Sequence, residues 1–199
     1  YVVRGLYSID KDSQPHSYFS SLLTMSLTLL SAALLLSSVS ADFNADASVV
    51  SSAASVLSNS VTAWNSNSGL IAALGIQGYF PTLTSAVSQL ASDAASLTDS
   101  GVDVSVINAF GNQISGLLAA LTAKASDFSN VGAGTIVKND LSSIGSPAQT
   151  IVNDIVGALS GDCAKGTQLT SALNAVSASF AAANSAYGAS QLTFSKLNC

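Results

Sequence analysis

The stretch IQGYFPTLTSAVSQLASDAASL, residues 76 to 97, decides the fold. Ile76, Phe80, Leu83, Val87, Leu90, Ala94 and Leu97 recur at alternating steps of four and three, with Ser, Thr, Gln and Asp at most positions between them. That spacing lays one apolar stripe along a helix. A stripe of this length must be covered by other helices with stripes of their own.

Such helices are found on both sides. Upstream, the spacing predicts a helix from Asp46 to Trp64 with Val50, Leu57, Val61 and Trp64 inward, closed by the polar run Asn65 to Gly69. The central helix is expected from Leu70 to Ser100. Pro81 removes one backbone donor from it, and the unbroken stripe favours a kink over a restart with Pro81 in a first turn. Gly101 suits a left-handed stop and Asp103 an N-cap. The next helix carries Val104, Ile107, Ile114, Leu117, Leu118, Leu121, Ala125 and Phe128, and a loop follows from Asn130 to Gly134. Ile136, Val137, Leu141 and Ile144 form a short helix ended by Gly145. Ser146-Pro147 reads as the start of another, with Ile151, Val152, Ile155 and Leu159. Leu169, Leu173, Val176, Phe180 and Tyr187 mark a last helix that stops near Gly188. No segment alternates with the period of a strand, so the expected fold is all-α, a bundle of five or six amphipathic helices with short connections.

Residues 1–24 lack this periodicity and precede Met25, the only methionine. They are read as an upstream extension outside the mature protein. From Met25, Leu27 to Leu36 form a short apolar core, and Val39-Ser40-Ala41 offers the small residues of a leader cleavage site, so 25–41 reads as a signal peptide. The run is too short to span a bilayer, no later stretch is expected to qualify, and the C-terminal residues lack the apolar tail of a lipid anchor. The expected product is a secreted domain of about 42–199, extracellular or associated with a cell wall.

Charge is scarce. Charged residues are 9% of the chain against 48% hydrophobic ones, every acid is Asp, and the only Arg is Arg4. Residues 42–199 hold nine Asp and four Lys, a net charge of -5. With pI about 4.3 and no basic run, a nucleic-acid partner and a polybasic lipid site are both excluded. The span also lacks histidine, the commonest general base and transition-metal ligand. No nucleophile elbow, Ser-x-x-Lys pair or phosphate loop is present, so no catalytic residue, metal or cofactor is expected. Asp42/Asp46 and Asp99/Asp103 sit four apart, near helix starts where the dipole favours acids, rather than as a cation site.

Cys163 and Cys199 are the only cysteines, and in a secreted chain an even pair points to a disulfide, with an intermolecular bond through Cys199 left open. Trp64, Tyr79, Phe80, Phe110, Phe128 and Phe180 are large groups among many Ala and Ser. They either pack a core or frame a cavity for an acyl chain. The Ser and Thr residues form a solvated face or carry O-linked sugars, and no N-glycosylation sequon occurs.

The order of these parts resembles the fungal hydrophobic surface-binding protein A family, which includes the antigenic cell-wall galactomannoproteins. The likeness covers about residues 44 to 160. It rests on Val49-Val50 to Trp64, the 76–97 stripe, the helix from Asp103 to Leu121, and Lys124-Ala125-Ser126-Asp127-Phe128 leading into Val137-Lys138-Asn139-Asp140-Leu141. The last helix and the cysteine tail, 161–199, fall outside it. The resemblance implies a non-enzymatic helical domain that adsorbs to hydrophobic surfaces and recruits secreted hydrolases such as cutinases. It also implies, for some members, fatty-acid binding inside the bundle or association with cell-wall polysaccharide.

Three readings follow. Adsorption that opens the bundle is affordable in principle, because removing 1,000 Å² of apolar surface from water yields roughly 25 kcal/mol against about 5 to 15 kcal/mol to unfold a domain. A carrier would instead enclose an acyl chain between Ile76, Phe80, Leu83, Val87, Ile107, Ile114, Leu117 and Leu121. A structural wall mannoprotein would act through glycans or Cys199.

Overall fold

A computed structural model describes residues 43–197. The leader, the extension before it and Cys199 therefore lie outside the described residues. Seven α-helical segments are present and no strand among the described residues: α1 (Phe43–Ala63), α2 (Gly69–Gln77), α3 (Phe80–Ala94), α4 (Val104–Ala123), α5 (Ala125–Asn130), α6 (Gly134–Ala158) and α7 (Cys163–Tyr187). The all-α expectation holds.

The five long helices pack in a closed cycle. α1 lies against α4, α4 against α7, α7 against α6, α6 against α3, and α3 against α1. Asn44 at the start of α1 donates to the Gly101 carbonyl just before α4, so these two helices begin at the same end. Lys165 at the start of α7 reaches Asp99 there as well, with its ammonium 2.7 Å from the carbonyl and 3.1 Å from the carboxylate. At the far end Tyr187 closes α7 by donating to the Leu121 carbonyl near the end of α4, at 2.8 Å. Thus α1, α4 and α7 run one way, and α3 and α6 return.

Local chemistry sets these boundaries. Asp103 caps α4 by accepting from the Ser105 and Val106 amides, and the Ser105 hydroxyl hydrogen bond to it, followed by those amides, holds its carboxyl below the usual carboxylate range. Asp162 does the same for α7, accepting from Ala164 and Lys165 at 3.0 Å. Gly188, at φ 63°, ends α7 in the left-handed conformation that favours glycine. In the serine-rich helices hydroxyls donate to carbonyls one turn back, as in Ser51 to Ala47, Thr122 to Leu118 and Thr170 to Gly166, and the buried apolar stripes hold the helices in place.

The structure corrects four details. The central helix does not kink at Pro81. It breaks at Gly78-Tyr79 and restarts as α3 with Pro81 in the first turn, where a missing N–H costs nothing. It stops at Ala94, and Gly101 closes a 3-10 turn, Asp99–Gly101, without a positive φ. Pro147, expected to begin a helix, lies inside α6, which runs unbroken through Gly145. The buried series Val137, Leu141, Ile144, Ala148, Ile151, Val152 and Ile155 binds both halves to one core, and that outweighs the proline. Finally, Ser66–Ala94 and Val104–Ala123 reach a length and mean hydropathy, 1.3 in each case, sufficient to cross a membrane. Scarcity of charge raises the mean although each contributes only one stripe to the core.

After Gly188 the chain turns back along α6. Leu192 packs over Gly145, Gln149 donates to the Thr193 carbonyl, and the Ser195 amide donates to Asn153 at 2.8 Å. Phe194 lies against Phe180 with ring centroids 5.7 Å apart.

Pro147→Ala restores a donor for the Ser143 carbonyl and should raise stability by about 1–3 kcal/mol in urea unfolding. Pro81→Ala, at a first turn, should leave the midpoint nearly unchanged.

Candidate functional site

Five helices in a cycle leave more room at the centre than four. With neighbouring axes about 8–10 Å apart, the centre of a regular pentagon lies roughly 7–8.5 Å from each axis, beyond the roughly 5–6 Å radius of a helix with its side chains. Large inward side chains must fill the difference. Phe80, Phe110 and Phe180 are among the largest side chains of the single apolar cluster, each at most 1% exposed, and Leu57, Leu83, Leu117 and Leu141 are fully buried in it as well.

All eight residues expected to line a ligand sit in this core. Ile76 closes α2, Phe80, Leu83 and Val87 lie on α3, and Ile107, Ile114, Leu117 and Leu121 lie on α4. Each is buried and all belong to one apolar cluster. α3 and α4 are not neighbours in the cycle, since α1 separates them, so these side chains approach the axis from different sides. The core's sparse polarity suits hydrocarbon. Only Asp93 and Asn184 among polar residues are buried, and Asn184 donates to the Ser190 carbonyl at 2.8 Å.

The end of the bundle that carries α2 and α5 concentrates the less regular features. Trp64 stacks on Phe128, ring centroids 4.4 Å apart and planes 8° from parallel. Its indole N–H is buried without an acceptor. A cleft of about 350 Å³ opens between the α5–α6 turn and the end of α7, lined by Ser129, Gly132, Gly134, Thr135, Lys138, Ala186 and Tyr187. It shares no residue with the eight core positions, and its hydroxyls and lysine suit a polar group rather than an acyl chain. Burial pushes the Tyr187 hydroxyl above its ordinary pKa.

Asp140 on α6 also lies at this end. One carboxylate oxygen is buried without a hydrogen-bond partner. Burial raises its pKa to about 6, opposed in part by the neighbouring Gln77 amide on α2. The sequence reading quoted Asp140 only within a family-like run. Its burial depends on α2 folding over it, which nothing in the local sequence announces. The apolar residues left outside, Leu70, Ile71 and Leu74 on α2, were absorbed there into one long helix.

Four other acids are engaged in structure. Asp99 pairs with Lys165, Asp127 lies 3.9 Å from Lys124, and Asp103 and Asp162 are caps. No group of three or more possible metal ligands occurs among the described residues. Cys163 is exposed at the first position of α7.

The fold and its interior define a class, an all-α bundle whose helices enclose a predominantly apolar core. No protein-family model matches the chain, and no curated protein matches it in sequence. Among solved structures, it is similar to AfMP4p, an antigenic mannoprotein of Aspergillus fumigatus, in a crystal structure in complex with palmitic acid. The TM-score is 0.59 at 21% identity, covering 73% of this chain and 97% of that one. The likeness establishes a related fold.

Because the folded state holds the Asp140 proton more tightly than the unfolded chain, stability should fall as pH rises from about 4 through about 6. Asp140→Asn should flatten that part of the profile, measured as urea midpoint against pH.

Proposed function

We propose that this chain is a secreted, non-enzymatic domain that houses one fatty acid along the axis of its helix ring. The fold shared with palmitate-bound AfMP4p carries the reading, since the likeness extends over nearly all of that chain. The cycle of five long helices and the predominantly apolar core support it from this protein's own residues. An acyl chain entering the axis would replace contacts among Phe80, Leu83, Ile114 and Leu117 with contacts of the same chemistry, at little cost in desolvation.

Adsorption by opening the bundle takes second place. It asks the same eight residues to leave a core in which each is at most 6% exposed. That costs on the order of the whole stability, about 5–15 kcal/mol, before any surface is gained. Binding along the axis needs only local expansion. The engaged acids and the lack of histidine in 42–199 support a non-enzymatic role. Cys199, the other half of the expected Cys163–Cys199 bridge, lies outside the described residues.

The test is titration of delipidated 42–199 with a fluorescent long-chain fatty acid. Saturation near one equivalent with helicity unchanged in circular dichroism is expected, and absence of saturable binding would refute the reading. Leu83→Trp overfills the axis. It should weaken that affinity at least about tenfold while helicity survives, since overpacking costs about 1–3 kcal/mol.

A further inference from the structure

Apart from the six-residue α5, α2 buries the fewest residues of the described α-helices, and it is the most apolar on its outside. Its inner face buries only Ala73 and Ile76, whereas α3 buries seven residues and α6 eight. Ile71 is 86% exposed, and Leu70 and Leu74 are each 43% exposed. Residues 70, 71, 74, 75 and 78 fall on one side of a helix, so these side chains and two glycines make a continuous outer face. No charged side chain occurs anywhere from residue 47 to residue 92. The partner suited to such a face is uncharged and hydrocarbon-like.

The ends of α2 are built to turn. Gly69 enters it at φ 71°, with open space where a Cβ would stand. Ser68 provides no side-chain cap, and Gly78-Tyr79 separates α2 from α3. A helix held by two inner side chains between two glycine joints belongs to the low-stability part of a fold, which opens without global unfolding. Ile76 and Phe80, two of the core residues assigned to the acyl chain, are buried on either side of the Gly78-Tyr79 break. Trp64, just before the turn that leads into α2, holds a buried N–H with no acceptor, as an arriving carboxylate would require.

We propose that α2 is both the surface by which the protein docks on a lipid/water interface and the door through which a fatty acid passes into the ring. The inference rests on the fatty-acid reading and adds the route. Leu70, Ile71 and Leu74 enter the acyl region of a lipid aggregate, the helix swings on Gly69 and Gly78, and the core beside Ile76 and Phe80 becomes accessible. The rest of the bundle stays closed. Docking through uncharged side chains makes the process insensitive to ionic strength.

The purified full chain tests this with Trp64, the only tryptophan, as reporter. Two quantities are measured: equilibrium uptake of laurate added as monomer, and the rate of palmitate transfer from phosphatidylcholine vesicles. Ile71→Lys places a charge on an exposed position of the docking face, where it must be desolvated against lipid. It should slow transfer from vesicles at least about tenfold and leave laurate uptake within about twofold, and Ile71→Leu should restore the rate. Unchanged transfer by Ile71→Lys overturns the proposal alone. Failure of the unaltered protein to take up laurate overturns the fatty-acid reading and the proposal with it. A dimer of the unaltered protein that Ile71→Lys dissociates, seen by sedimentation, would assign the face to a second copy instead.

Discussion

Closing five helices into a cycle is the constraint on which everything else depends. Each long helix has two neighbours rather than three, and the space at the centre belongs to none of them. Side chains from several helices must meet there, and they can do so in a dry interior only if they bring no unpaired charge. The scarcity of buried polar residues among those described follows from that requirement, as does the full burial of Phe80, Phe110 and Phe180. Such a core holds together because its parts are chemically alike. A chain of methylenes is alike to them as well.

Poverty of charge outside has a different physical basis from poverty of charge inside. Helix surfaces in water commonly carry Glu, Lys and Arg, which solvate well and pair along the helix. Here Ser and Thr take those places, and many hydroxyls are turned onto the carbonyl of the preceding turn. A hydroxyl already donating to its own backbone loses less when water is removed. The outer surface of α1 and α2 therefore carries a low desolvation cost even where it is polar. The apolar face of α2 lies within that surface rather than as an isolated defect.

The helical stripes were legible because periodicity is local. Val50, Leu57, Val61, Ile107, Leu117, Leu169 and Phe180 are buried where their spacing places them, and Asp103 caps where its position requires. The two prolines were misjudged in opposite directions. Each follows a glycine by two or three residues, so the local signals are nearly the same. What separates them is long-range: Gly145 is buried beneath Leu192 of the returning tail, while Gly78 is exposed. The tail covers one weak point and the helix persists; nothing covers the other and the chain breaks. The expected helix from Leu70 to Ser100 took in Leu70, Ile71 and Leu74 without assigning them a face, and the break between α2 and α3 gives them one.

The same limit applies to the interior. Residues that fill an axis and residues that line one have identical sequence signatures, because both must be apolar, inward and helical in spacing. What distinguishes them is whether neighbours can move apart without breaking polar contacts. Side-chain links between the long helices include Asn44 and Lys165 at one end and Tyr187 at the other, while the apolar seam between them rests mainly on dispersion and burial. Fixed ends with a yielding middle allow a bundle to widen without coming apart. A guest that enters end-on therefore has to displace one weakly held element, and α2 at the Tyr187 end has only Ala73 and Ile76 to lose from the core.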